Sequence, residues 1–168
     1  MLLFETAIGT CGVSWSEAGI TGVALPRRRG LSGRAAEPPT GLPDGVRAAI
    51  AGMVLLLDGE PSDLRSVALD ERDLDEFRRR VFAATREIRP GITATYGEVA
   101  RSIGEPGAAR AVGAALAQNP FPIIVPCHRV LAATGALHGF SAPGGIATKR
   151  RMLEIERAPG FTQTALFA

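Results

Sequence analysis

The segment NPFPIIVPCHRV, residues 119–130, constrains this chain more than any other stretch. Its run Ile123-Ile124-Val125 is wholly apolar and reads as a short buried strand that stops at Pro126. Cys127, His128 and Arg129 follow at once. The chain thus delivers its most nucleophilic side chain to the exit of a buried element, beside an imidazole. A free thiol with a pKa of about 8.5 is mostly protonated at neutral pH, so a nearby base or positive field decides its reactivity. Successive strand residues point to opposite faces, so proton transfer from Cys127 to His128 requires a turn after Pro126 or a bridging water. Taken alone, a Cys-His pair reads as a small buried hydrophobe beside a satisfied core histidine. The surrounding motifs change that reading.

The chain has 168 residues, 46% hydrophobic and 21% charged, enough for one or two small domains with a real core. No apolar run approaches the roughly 20 residues of a membrane span. The start, MLLFETAIGT, lacks the basic and long apolar regions of an export signal, so the expectation is a cytoplasmic protein without a membrane partner. Cys11 and Cys127 are the only cysteines, and His128 and His138 the only histidines. That set argues against a disulfide and against structural zinc, which prefers four closely spaced ligands. Residues 1–74 carry 7 basic and 10 acidic side chains, whereas residues 75–168 carry 12 basic and 7 acidic. A basic C-terminal half suits a polyanionic partner, although an ordinary solvated surface has the same charge pattern. Every cation but Lys149 is arginine, which with the abundant Ala and Gly is the pattern expected from GC-rich codon usage, as in some bacterial genomes, and bears on codons rather than function.

Three segments, LLFETAIG, CGVSWSE and ITGVALP, separated by glycine-containing turns, read as a strand meander. Residues 27–43, rich in Gly, Pro and Arg, read as a mobile loop. Val46, Ile50, Met53, Val54 and Leu57 fall at helical spacing, and DLRSVALD, residues 63–70, reads as one further strand. The charged stretch at residues 70–76 is a plausible junction. Beyond it, Phe77, Val81 and Ile88 share a helical face. Thr95 and Glu98 have the Thr-x-x-Glu spacing of a capping box, opening a helix with Val99 and Ile103 inward. After the turn GEPG comes AARAVGAALAQN, a second short helix of small residues, so the pair reads as a helix-turn-helix. Its small side chains permit close approach to the protein core or to a DNA groove. Arg110 stands alone among Ala108, Ala109, Ala111 and Val112, as a probe into DNA or as a surface residue.

Read together, TYGEVA, GAARAVGAAL, NPFPIIVPCHRV and the later GG…KRRMLEIE closely resemble the O6-alkylguanine-DNA alkyltransferases, also called methylated-DNA–protein-cysteine methyltransferases. The resemblance covers about residues 75–158 and is looser before them. It implies a direct DNA-repair protein that takes an alkyl group from O6-alkylguanine, less well from O4-alkylthymine, onto its own cysteine. The cysteine is not regenerated, and neither cofactor nor metal is needed. Carried over by motif, Cys127 is the acceptor, His128 the base acting through a water, and Glu156 the acid that orients the histidine, seven positions after Lys149. Asn119 holds the turn before the cysteine segment. Tyr96 assists nucleotide rotation and protonates the leaving guanine, Arg110 enters the duplex, and Ser141 and Leu116 join the substrate set. Ala109, Ala111, Gly113 and Arg129 are expected at the DNA.

The implied architecture is α+β. A ribonuclease-H-like domain of strands and a helix, residues 1–72, precedes a mostly helical domain, residues 75–168, with a winged-helix-type helix-turn-helix. The implied partner is double-stranded DNA with alkylated bases, bound in the minor groove by a monomer, with clustering on DNA left open. The implied location is the bacterial cytoplasm, at the nucleoid when bound. The chain departs from the family at Phe140, where relatives have tyrosine, and in a loop two residues longer than the human-type pattern before TKRR, which bears on the pose of Ser141. His138 reads as loop surface and Cys11 as a strand packing residue. Two rivals follow from the same residues. Alkyltransferase-like proteins bind such DNA without repair, but usually carry tryptophan at the cysteine position. A cysteine hydrolase usually draws its histidine from a distant part of the chain and leaves the helix-turn-helix without a role.

Overall fold

The computed structural model describes residues 1–26, 40–137 and 144–162. Residues 27–39 of the predicted loop, together with His138, Phe140 and Ser141, lie outside the described residues. The first three strands, β1 (Leu2–Thr6), β2 (Gly9–Ser16) and β3 (Gly19–Ala24), form the expected antiparallel meander in the order β1-β2-β3. Phe4, Cys11, Val13, Ile20 and Val23 turn inward, and helix α1 (Asp44–Leu57) covers them with Ala49, Met53 and Leu56. This alternation against a 3.6-residue stripe is what lets one sheet face and one helix face share a dry core.

The outer edge of β3 does not stay open, as an unpaired edge would. Ile20 N–H donates to the Ala68 carbonyl, and Asp70 N–H donates back to Ile20. Further along, Val23 N–H donates to the Pro120 carbonyl, 2.9 Å away. Gly19 is required here: its φ is +143° and a Cβ would meet the Ala68 carbonyl oxygen at 2.5 Å. Residues 63–70 are not the strand expected of them; a single bridge, Ile20 to Leu69, is all that forms. The reason is side-chain competition for the backbone. The Asp63 carboxylate accepts from the Arg65 N–H at 3.0 Å, and Arg86 Nη2 donates to both the Leu64 and the Val67 carbonyls at 2.8 Å.

Helix α2 (Glu76–Arg86) begins at Asp75, whose carboxylate accepts from the Arg78 N–H, and buries Val81, Phe82 and Thr85. Phe77 and Ile88 pack on the same core, as their spacing predicts. Then come the two-residue strand β4 (Ala94–Thr95), helix α3 (Tyr96–Ser102) and helix α4 (Ala109–Ala117). The capping box is formed in full: Glu98 N–H donates to Thr95 Oγ1 at 3.1 Å, and Thr95 N–H donates to the Glu98 carboxylate at 2.6 Å. Arg80 of α2 clamps the turn between α3 and α4 by pairing with Glu105 and donating to the Ile103 carbonyl.

The run before the cysteine corrects the expected strand. Phe121–Val125 is a buried succession of turns. Pro120, Pro122 and Pro126 have no N–H to give to a ladder. Val125 N–H instead reaches back to the Phe121 carbonyl, and Ile123 sits at φ +75°. Pro126, at φ −79° and ψ 64°, is the centre of an inverse γ-turn closed by Cys127 N–H on the Val125 carbonyl. A single 3₁₀ turn, Cys127–Arg129, then leads into β5 (Val130–Leu131), which pairs in parallel with β4. Helix α5 (Gly145–Ile155) packs on that 3₁₀ turn. The β4–β5 pairing places the start of the helix-turn-helix beside the cysteine. One buried cluster runs through both halves of the chain, from Phe4 to Met152.

Thr95→Ala removes one arm of the capping box at that junction. The expected loss is about 1 kcal/mol, read as a lower urea midpoint with an unchanged slope.

Candidate active site

Two cysteines are buried, and their surroundings separate them. Burial pushes the Cys11 thiol up to about 11; its hydrogen bond to Thr6 only partly opposes this, and Glu5 adds to it. Burial also pushes the Cys127 thiol above its ordinary range. There, however, a hydrogen bond with Asn119, the charge of Lys149 and backbone N–H groups all favour the thiolate. Cys11 has a single such contact, opposed by Glu5, whereas Cys127 has several together, including a cation.

Asn119 is placed by the end of α4. Its side-chain nitrogen donates to the Val125 carbonyl and its oxygen accepts from the Phe121 N–H, both at 2.9 Å. One amide therefore spans the whole proline-interrupted turn, as predicted for it, and also reaches the thiol.

His128 is fully buried. Its Nε2 lies 2.9 Å from Glu156 Oε1, with the Glu156 side chain 3% exposed. A carboxylate can only accept, so Nε2 carries the proton and Nδ1 keeps its lone pair. Nδ1 is buried and has no hydrogen-bonding partner among the described residues. Burial lowers the His128 pKa, and Glu156 opposes that shift without reversing it. The ring is a neutral base at neutral pH.

Burial alone would raise the Glu156 carboxyl, but His128 and Arg129 outweigh it and hold the group at about 2. Arg129 donates from Nε to Oε2 at 2.9 Å and from Nη2 to Oε1 at 2.7 Å. Its Nη1 donates to the Ile88 carbonyl beyond the end of α2. This corrects the expectation that Arg129 touches DNA. Its side chain is 6% exposed, and its fork is occupied by the carboxylate that sets the histidine.

Lys149 is the site residue that sequence reasoning passed over as a mere landmark. It is 1% exposed, its Nζ donates to the Val130 carbonyl at 2.6 Å, and it lies 5.9 Å from the centroid of the Tyr96 ring. Burial lowers its pKa, and the charge interaction with Cys127 works the other way. The signal was present: a chain that uses arginine at every other cationic position uses lysine here. Lys149 and Glu156, seven residues apart, leave the same face of α5 two turns from one another, both onto the 3₁₀ turn.

Tyr96, first residue of α3, is half-buried, with its phenol pKa raised by burial and by Cys127. Gly113 of α4 faces it, since a Cβ there would lie 3.8 Å from the ring. Arg110 and Ala111 are exposed on the outer face of α4 and Ala109 is half-buried beside them. Arg110 makes no ion pair or hydrogen bond among the described residues. Leu116 is buried in the main core at 6% exposure. The structure thus gathers Cys127, His128, Glu156, Asn119, Tyr96, Lys149 and Arg129, and leaves Arg110 outside on a smooth helix.

Comparison with known proteins follows the same outline. A model of the 6-O-methylguanine DNA methyltransferase DNA-binding domain matches residues 76–158. The methylated-DNA–protein-cysteine methyltransferase of Mycobacterium tuberculosis strain H37Rv is 44% identical over 128 residues, spanning 76% of this chain and 71% of the relative. A crystal structure of Mycobacterium tuberculosis OGT in complex with DNA superposes with a TM-score of 0.74 at 36% identity, covering 95% of this chain and 94% of that one. The O6-methylguanine-DNA methyltransferase of Pyrococcus kodakaraensis KOD1 superposes at 0.66 with 28% identity, over 92% and 97% of the two chains.

The buried relay makes stability depend on pH in a set direction. The folded pKa of His128 lies below its usual 6.5, so its contribution is complete above that pH and falls away as the pH drops through the lowered value. Glu156, usually near 4.5 and held at about 2, adds a second loss below pH 4.5. Urea midpoints taken from pH 8 down to pH 4 should fall in that order. Glu156→Gln should cost about 3 kcal/mol at pH 7, because Arg129 then keeps a buried charge without a counter-charge.

Proposed function

The chain belongs to the methylated-DNA–protein-cysteine methyltransferase family, and from that premise we propose that it repairs DNA directly, moving an alkyl group from O6-alkylguanine irreversibly onto Cys127. The observation that carries this reading is the line Arg129–Glu156–His128, ending in an Nδ1 without a partner among the described residues, in the residue that follows Cys127, whose thiolate is favoured by Asn119, Lys149 and backbone N–H groups together. O4-alkylthymine is a poorer substrate of the same site.

The reaction needs three things from these residues. Double-stranded DNA must be held, and the small side chains of α4 at Ala109, Ala111 and Gly113 let that helix sit close in a minor groove. The alkylated base must leave the stack, at a few kcal/mol, because displacement at its alkyl carbon needs a straight approach by a bulky sulfur. Arg110 offsets part of that loss by filling the gap, while Tyr96 helps rotate the nucleotide, and the family motif assigns Leu116 and Ser141 to the substrate. The thiol must then lose its proton. His128 Nδ1 takes it through a water, and Glu156, held by Arg129, stabilises the imidazolium. Lys149 and the Asn119 bond stabilise the thiolate. Sulfur forms its bond to the alkyl carbon as the carbon–O6 bond breaks, and the Tyr96 phenol gives a proton to the departing guanine. The imidazolium proton returns to the phenolate through solvent, so the thiol's proton ends on guanine. The thioether offers water no good leaving group, which makes each molecule act once.

Around this site we read two domains, residues 1–72 as ribonuclease-H-like and residues 75–168 as a winged-helix-type module. The protein acts as a monomer in the cytoplasm, at the nucleoid when bound to DNA. Neither a cofactor nor a metal enters the steps above.

Intact-protein mass spectrometry with excess duplex containing one O6-methylguanine should show one methyl-sized gain, on the Cys127 peptide, stopping at one per protein. Tight binding with no gain would assign the chain a binding role without repair. Cys127→Ser should bind the same duplex and gain nothing. Arg110→Ala should slow repair in duplex DNA by about tenfold or more, the size expected for losing a gap-filling contact. It should leave the reaction with free O6-benzylguanine unchanged; equal loss on both would remove the gap-filling role.

A further inference from the structure

Arg129 and Glu156, though nearly buried, also border a second space away from the thiol. They form part of the wall of a cavity of about 570 Å³ that Cys127, Tyr96 and Asn119 do not line. Five arginines line it, Arg65, Arg86, Arg89, Arg129 and Arg157, against two carboxylates, Asp63 and Glu156. Both carboxylates are already engaged. Asp63 takes the fork of Arg65, and Glu156 takes that of Arg129. Arg86, Arg89 and Arg157 have no ion-pair partner among the described residues. Arg86 spends Nη2 on two carbonyls, while its Nε is buried without a partner among the described residues. Arg157 holds a left-handed backbone, φ +56°, directly after α5, a conformation that costs a non-glycine residue about 1 kcal/mol. Apart from Ser62, the rest of the wall has no polar side chain and includes Ile88, Ile124 and Ile155.

We propose that this cavity is a binding site for a small organic anion of nucleoside-monophosphate size, its phosphate held by Arg86, Arg89 and Arg157 and its flat body laid on the isoleucine wall. Arg89 and Arg157, which have no ion-pair partner among the described residues, can each present a guanidinium fork of two parallel N–H donors to a phosphate, and Arg86, with Nη2 spent and Nε buried, adds its charge. The volume is that of a small-molecule site, and apolar walls with a few convergent donors are the usual lining of one. A bare inorganic ion would leave the apolar wall unused. The DNA-facing residues of α4 do not line the cavity, which separates it from the proposed DNA footprint.

The test is isothermal titration calorimetry on the full chain with adenosine 5′-monophosphate, with inorganic phosphate and adenosine as separate arms. Saturable one-to-one binding of the monophosphate is expected, about tenfold or more tighter than either fragment. Arg89→Ala and Arg157→Ala, both at exposed positions, should each weaken it by about tenfold, as expected for a lost charge-assisted contact. Protein already alkylated at Cys127 with O6-benzylguanine should bind equally well. That arm alone depends on the alkyl-transfer reading, and the mass of the treated protein shows whether transfer took place. The site would be overturned by an absence of saturable heat, by unchanged affinity in both variants, or by phosphate alone binding as tightly. Loss of binding on benzylation would place the nucleotide in the base pocket. Displacement by unmodified duplex DNA would assign the arginines to the DNA footprint.

Discussion

The buried trio of Arg129, Glu156 and His128 is the interaction on which the rest of the site depends. Taking ions out of water costs several kcal/mol each, and only near-complete hydrogen bonding offsets it. Here it is near complete. Both carboxylate oxygens are engaged, by His128 Nε2 and by two nitrogens of Arg129, whose remaining arm reaches the Ile88 carbonyl. The trio therefore ties together three pieces of chain, the 3₁₀ turn, the end of α5 and the segment after α2. Glu156 caps the C-terminal end of α5, where the helix dipole disfavours an anion. Arg129 supplies what the helix end lacks. Shifting any of the three elements would leave a buried charge alone, so the histidine ring can take only one position relative to the cysteine.

The N-terminal half has a physical task within this arrangement. The turns of residues 120–126 contain three prolines and a β-branched residue at positive φ, which no local preference would maintain. They persist because the surroundings over-determine them. Asn119 bonds both ends of the turn, β3 donates to the Pro120 carbonyl, and the Phe82 and Phe121 rings meet edge to face at 6.4 Å. The sheet edge that would otherwise be open is thus used to hold the segment leading to the cysteine. Strain of this kind clusters at functional sites because it fixes a side chain in an orientation that relaxed backbone would not hold.

Much of this was legible in the residues. Periodicity predicted the meander, α1, α2 and the helix-turn-helix, and the Thr95–Glu98 spacing marked the start of α3 within a residue. The errors have physical causes. Ile123-Ile124-Val125 has strand composition, but prolines on both sides remove the donors a strand requires. Residues 63–70 alternate well enough, yet Arg86 of α2 takes two of their carbonyls, a tertiary effect invisible to a local pattern, and the Asp63 carboxylate takes the Arg65 N–H. Arg129 read as a DNA contact because adjacency to Cys127 says nothing about direction. In a 3₁₀ turn, neighbouring side chains diverge, and this one points to the carboxylate 27 positions later. Lys149 was visible only as the exception to an all-arginine pattern, and burial is what gives that exception meaning.

A nucleophile that is consumed on use has different requirements from one that turns over. A standing thiolate would react with oxidants and adventitious electrophiles, each event destroying a molecule. Burial keeps Cys127 protonated at rest, as it keeps Cys11, so both thiols are inert by default. What distinguishes Cys127 is that its anion, once formed, has Asn119, Lys149 and backbone N–H groups waiting, and a neutral base nearby whose conjugate acid has a carboxylate waiting. The activating groups are themselves buried and neutralised by one another. Deprotonation is then favourable only when a carbon electrophile sits against the sulfur to take up the charge as it develops. Selectivity for the alkylated base follows from this coupling: the same desolvation that raises the thiol's pKa reserves its reactivity for the ligand that fills the pocket.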